Sequence, residues 1–277
     1  MPIKILLTND DGIRAPGIVT LFETITDQKN CLGGHLGGPG STVDVMAPLT
    51  VQSATSHGVT FHQPLMTEIV RVREFMSGTA IDGRPADCVK LGVECLWPEK
   101  YGAGALPDLV ISGMNAGANC GINTIYSGTV AAALEAAFLG IPSIAVSVQI
   151  GRGQPRFDIS SIFARRTLDR ILAQGLPERH ECLSINIPAV ESEMDMPEIV
   201  VCPMNCHGLV DKFEKRLSPR NEPYYWATGH GLDFRTIDQG SDVEQLLKEK
   251  RITITPLSFD LTARHRLAKW NERIGRP

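Results

Sequence analysis

Short, continuously apolar runs rich in β-branched residues recur at 3–7, 43–46, 109–111, 144–148, 183–187 and 199–201. Such runs predict strands buried on both faces of a sheet. Between the first two, Ile18, Leu21, Phe22 and Ile25 repeat at helical spacing behind Pro16, which suits a first-turn position, so residues 16–26 predict a helix. Strand, helix, strand implies a parallel pair. Residues 128–139 predict a second helix, rich in Ala and closed by Gly140, able to pack tightly on a sheet. The most membrane-like stretch, 129–150, carries Glu135 near its middle and a Gly140-Ile141-Pro142 break, which makes it helix, turn and strand rather than a span. The class is α/β, with a doubly wound, mostly parallel sheet.

The last third reads differently. A polar, aromatic-containing stretch (205–238), a charged insert (242–250) and an alternating strand (251–255) suggest a β-rich arm, and Leu267 and Trp270 begin a terminal helix that Asp260 or Thr262 is placed to cap. The expected division is a core over 1–204 and an arm with terminal helix over 205–277. The Gly-rich run 33–40 reads as a flexible surface loop and lacks the Lys-Ser or Lys-Thr ending of a P-loop.

With 277 residues, 43% hydrophobic and 21% charged, the chain can bury a large core, which excludes a disordered protein and a disulfide-stapled miniprotein. Lys and Arg number 27 against 31 Asp and Glu, leaving −4, so no overall positive field draws it to long nucleic acid or to a membrane surface; short nucleotides stay open as partners. Seven scattered Cys suit a reducing cytoplasm better than a disulfide framework, and Met1-Pro2-Ile3-Lys4 runs into a strand without the pattern of a signal peptide.

Three segments carry candidate chemistry. Thr8-Asn9-Asp10-Asp11-Gly12 falls where the first strand ends, the edge at which α/β sheets bind ligands. In the turn there both carboxylates can converge, and their repulsion asks for a cation; taken alone, the same residues make an ordinary turn with helix-capping acids. Ser112-Gly113-Met114-Asn115-Ala116-Gly117-Ala118-Asn119-Cys120-Gly121 follows another strand, and its small residues let backbone N–H groups approach an anion, while the Asn115 amide oxygen is a hard ligand suited to Mg²⁺ or Mn²⁺. The alternative is a glycine-rich loop whose Asn side chains bond their own backbone. Tyr126-Ser127-Gly128-Thr129-Val130 opens the Ala-rich helix, whose unpaired N–H groups favour a phosphate; Ser127 by itself reads as an N-cap. Acids for a cation and amides for an anion on one edge describe a metal-dependent phosphate site.

These segments resemble the SurE (survival protein E) nucleotidases. The resemblance extends through Ala15-Pro16-Gly17, Ala47-Pro48, Gln52-Ser53, Pro85-Ala86-Asp87-Cys88-Val89, Gly140-Ile141-Pro142-Ser143, Thr253-Ile254-Thr255-Pro256-Leu257 and Asp260-Leu261-Thr262. It implies a Rossmann-like fold and a divalent-metal-dependent phosphatase acting on nucleoside monophosphates, a 5′-nucleotidase with 3′-nucleotidase and exopolyphosphatase activity as possible extensions. It also implies Asp10, Asp11, Ser53 and Asn115 as ligands of one Mg²⁺ or Mn²⁺ per subunit, and a homodimer or homotetramer built partly through the C-terminal arm, with 251–257 crossing to a neighbour. Ala54 stands where a Gly commonly follows the Ser, Arg84 where a Thr is usual, and the segments 30–41 and 242–250 are longer than usual.

The expected mechanism has a water attack the phosphoryl group in line, with Asp10 or Asp11 accepting its proton, while Ser127, Gly128 and Thr129, helped by Asn9 and Asn119, hold phosphoryl oxygens. An aspartyl phosphoenzyme is the variant. The competing class is a non-catalytic nucleotide sensor, against which the paired acids argue, since an anion receptor would not set two negative charges beside its ligand without a cation. Tyr224-Tyr225-Trp226 reads either as a base-stacking platform or as an edge strand. Cys202, Cys206 and His207 lack the second pair a zinc site needs, and His57 suits loop packing or a substrate contact.

Overall fold

Both faces of β1 (Lys4–Thr8) are covered: Ile5, Leu6 and Leu7 are each 0% exposed, although neighbouring strand side chains point to opposite sides. The computed structural model describes residues 2–190, 196–210, 212–228 and 233–275 and places β1 inside a nine-stranded sheet. β2 (Thr42–Pro48) and β5 (Leu109–Ala116) flank it, both parallel. Beyond β2 come β4 (Met76–Ile81), parallel, and the antiparallel edge β3 (Thr67–Arg73). Beyond β5 come β6 (Ser143–Val148) and β7 (Cys182–Ile187), parallel, then β11 (Ile252–Leu257), antiparallel to β7, and β8 (Ile199–Val201). The winding reverses between β1 and β5, and a crevice at the carboxyl ends of such a pair is where open α/β sheets take ligands.

Alternation along β1 divides the core. Ile5 and Leu7 join Ile18, Leu21 and Ile25 of α1 (Pro16–Ile25) and Phe163 and Leu168 of α5 (Phe157–Leu172). Leu6 joins Val89 of α2 (Pro85–Leu91), Trp97 at the start of α3 (Trp97–Tyr101), and Ala132 and Ala136 of α4 (Gly128–Phe138). The small Ala side chains let α4 lie close to the sheet. Residues 129–150 are α4, a turn at Gly140 (φ +84°) and β6, as the pattern predicted, and no helix among the described residues is long and apolar enough to cross a membrane.

Three expectations need correction. β11, assigned to the arm and to a crossing into a neighbour, pairs with β7 and β8 of its own chain, and α6 (Asp242–Leu247), formed by the charged insert and capped by Ser241, packs beside it. A boundary at 204/205 therefore cuts through the sheet. The Gly-rich loop is pinned rather than free: the Asp27 carboxylate accepts the N–H groups of Cys31, Leu32 and Gly34, Arg165 donates to the Gly34 carbonyl, and Leu36 is fully buried. Neither Asp260 nor Thr262 caps α7 (Leu267–Ile274), because a 3₁₀ turn over Arg264–Arg266 intervenes and Asp260 accepts the Thr262 N–H instead. What stands out from the core is a hairpin of β9 (Phe213–Leu217) and β10 (Pro223–Ala227), its strands exposed throughout; residues 211 and 229–232 of the polar stretch lie outside the described residues.

Candidate active site

The chain leaves β1 through a turn that buries Asp10 and half-buries Asp11. Asn9 donates from Nδ2 to the Gly12 carbonyl (2.9 Å), and Gly12 takes φ +95°, a conformation that costs a side-chain-bearing residue about 1–2 kcal/mol. Asp10 is 4% exposed and accepts the Thr129 hydroxyl at 2.5 Å on Oδ1. The start of α4 is pressed onto it: a Cβ at Gly128 would lie 2.9 Å from Asp10 Oδ2 and 3.0 Å from Pro85 Cγ. Burial pushes the Asp10 carboxyl up to about 6; the Thr129 bond opposes this and the Asp11 charge adds to it. Asp11 accepts the Ala116 N–H (3.2 Å), and burial lifts its carboxyl too.

The end of β5 closes the other side. A Cβ at Gly17 would fall 1.9 Å from the Met114 carbonyl oxygen, so only glycine lets α1 start there. Asn115 donates from Nδ2 to the Gly117 carbonyl (2.8 Å), which leaves its amide oxygen for another partner. Asn119 is placed differently from expectation, since its Nδ2 donates to Ser147 Oγ (2.8 Å) and its backbone exchanges bonds with the Asn186 amide (2.7 and 3.0 Å). It clasps the loop to β6 and β7. Ser127 caps α4, accepting the Val130 N–H at 3.1 Å.

Ser53 arrives from the loop after β2 and is exposed. The Gln52 N–H bonds the Asp10 carbonyl (2.7 Å), so Ser53 follows directly on a contact with the acid turn. Ala54 and Ser56 take φ +56° and +55°, and Ser56 bonds the carbonyls of Ile125 and Tyr126. The Gly usual after the Ser thus has a physical reason: the position is left-handed. Arg84 is exposed and packs beside this loop, where a Cβ at Gly58 would fall 2.1 Å from Nη1. A cleft of about 490 Å³ opens beside Asp11, lined among others by Arg14, Thr50, Val51, Gln154 and Phe157.

The donor set suits a hard divalent cation. Asp10, Asp11, Ser53 and Asn115 offer oxygen only, and among the described residues no group of three or more His, Cys, Asp and Glu side chains gathers into a softer site; Cys202 is buried and Cys206 exposed. Three further oxygens at this edge, Thr8 Oγ1, Asn9 Oδ1 and Ser112 Oγ, are buried without a hydrogen-bond partner among the described residues. Orphaned buried acceptors cost about 1–3 kcal/mol each and mark places where another group belongs. Tyr224, Tyr225 and Trp226 lie on β10 of the exposed hairpin, 39%, 63% and 58% exposed, the edge-strand placement rather than a wall of this site.

The family model described as Survival protein SurE matches residues 5–208. The chain is 40% identical over 273 residues to the 5′-nucleotidase SurE of Carboxydothermus hydrogenoformans, covering 96% of this chain and 94% of that one. It is 41% identical over 263 residues to the 5′-nucleotidase SurE of Nitratidesulfovibrio vulgaris, covering 94% and 95%. The crystal structure of the SurE protein from Aquifex aeolicus superimposes with a TM-score of 0.76 at 31% identity, over 98% of this chain and 100% of that chain. With the family model spanning most of the chain and relatives matching along nearly all of it, this chain belongs to the SurE family.

Proposed function

We propose that this chain is a phosphoric monoester hydrolase, a 5′-nucleotidase that cleaves nucleoside monophosphates to nucleoside and phosphate. The observation that carries this reading is the adjacent acids at the reversal of the sheet, Asp10 buried and Asp11 half-buried, with the start of α4 against Asp10, in a chain whose relatives bear that activity in their names. Asp10, Asp11, Ser53 and Asn115 would hold one Mg²⁺ or Mn²⁺ per subunit, which supplies positive charge to offset that of the phosphate. One carboxylate of the pair accepts the proton of the attacking water. The Thr129 hydroxyl fixes the direction of the Asp10 carboxylate. Asn9, Ser127, Gly128 and Thr129 steady the phosphoryl oxygens at the helix start, and Asn119 shapes the loop around them. The cleft beside Asp11 has the size of a small-molecule site and takes the nucleoside. Action on 3′-nucleotides and on short polyphosphates belongs to the same reading.

Assembly into a dimer or tetramer is supported by the exposed rings of Phe213, Tyr225 and Trp226 on a hairpin that needs cover, and residence in the cytoplasm by seven unpaired cysteines. Release of phosphate from AMP and GMP with Mn²⁺ or Mg²⁺, abolished by EDTA, tests the proposal. Binding of nucleotide without release would make the protein a sensor.

A further inference from the structure

Glu135 lies in α4, seven residues past Gly128 and so about 10 Å along the helix from the end that meets Asp10, too far to touch a phosphoryl group there. It is nonetheless 5% exposed and fully engaged: Oε2 accepts His57 Nε2 at 2.8 Å and Oε1 accepts Lys90 Nζ at 3.0 Å. Burial would raise this carboxyl, but the two partners outweigh it and hold it below the usual carboxylate range. Lys90 belongs to α2, whereas His57 belongs to the loop that carries Ser53.

That loop is fastened on both sides of Ser53. At one end the Gln52 N–H holds the Asp10 carbonyl, and at the other His57 reaches Glu135, with Ser56 bonded to Ile125 and Tyr126 just before it. Ala54 and Ser56 are left-handed, a conformation that side-chain-bearing residues keep only where the surroundings hold it, and the far anchor that holds it is made by Ser56 together with His57. We propose that His57 and Glu135 are positioning residues which hold Ser53 at the cation site of Asp10 and Asp11. The inference rests on the reading of Ser53 as a ligand given above.

The test measures Mn²⁺ binding to the full-length, metal-stripped protein by titration calorimetry, with thermal unfolding alongside. His57→Ala is expected to weaken Mn²⁺ about tenfold, within the range seen when the partners of metal ligands are removed. His57→Gln, which keeps a donor for Glu135, is expected to restore most of the loss. The double variant Ser53→Ala with His57→Ala should bind no worse than Ser53→Ala alone, because both changes remove the same ligand. Lys90→Ala, which takes away the other partner of Glu135 without touching the loop, should lower the unfolding temperature and leave Mn²⁺ affinity in place. Undiminished affinity in His57→Ala, or additive losses in the double variant, overturns the inference while leaving the nucleotidase reading intact. Undiminished Mn²⁺ binding in Asp11→Asn overturns both.

Discussion

The Thr129 hydroxyl, on the first turn of α4, donates to Asp10 Oδ1 at 2.5 Å, joining residues 119 positions apart where the first strand of the sheet ends. A hydrogen bond to a carboxylate contributes about 1.5–3 kcal/mol, and this one also sets which way the acid faces. Thr129→Val is expected to lower kcat/KM for AMP about 10- to 100-fold, and Thr129→Ser to stay near wild type. Equal kinetics for the valine variant would mean that the bond does not orient the acid.

Gly128→Ala inserts a methyl 2.8 Å from Asp10 Cβ and 2.9 Å from its Oδ2. Because Pro85 lies 3.0 Å from the same methyl and Thr129 holds the carboxylate, the acid must move. Overpacking of this kind costs about 1–3 kcal/mol, and here the displacement falls on the reactive group. Mn²⁺ affinity and turnover should both fall at least tenfold in a protein that still unfolds cooperatively; retention of both would contradict the contact.

Ala54→Gly relieves a left-handed residue (φ +56°). The relief, offset in part by the added freedom of the unfolded chain, is expected to stabilise the protein by about 0.5–1 kcal/mol. Denaturant unfolding checks it, and a less stable variant would show that the methyl is packed rather than strained.

Glu135 gives a pH dependence of definite sign. Its carboxyl is held below the usual range, so the folded state favours the ionised form; that stabilisation is complete above the unfolded value near 4.5 and fades as pH falls through the folded value. Glu135→Gln should cost about 2 kcal/mol at pH 7 and progressively less below pH 4.5. Thermal unfolding from pH 7 to pH 3 reads the gap between the two proteins. A gap that holds constant or widens in acid would reject the ion pairs.

Much of the fold is legible along the chain because β1, β5, β6 and β7 are buried on both faces and therefore spell continuous apolar runs. β3 is not, since its edge position leaves Ile69 80% exposed among charged neighbours. β11 misleads in the opposite way: Ile and Thr alternate as if one face met water, yet Thr253 and Thr255 are 0% and 3% exposed inside the sheet. α5 hides its amphipathic pattern behind Arg165, a buried cation that serves the Gly-rich loop. Of the proposed ligands, Asp10, Asp11 and Asn115 are suggested by the rule that ligands gather at strand ends, a local signal. The clasp of Asn119 on Ser147 and Asn186 and the pairing of His57 with Glu135 span 28, 67 and 78 positions, and no local pattern announces them.

On the proposed reading, Asp10 and Asp11 together hold a cation and drive hydrolysis. Phosphate release from AMP with Mn²⁺, measured for the wild-type protein and for Asp11→Asn at matched stability, tests it most directly. Steady release by the wild type, stopped by EDTA, is expected, with a loss of about a thousandfold or more in the variant, beyond the roughly 3 kcal/mol that a single preorganised donor supplies. Equal turnover by Asp11→Asn would contradict it.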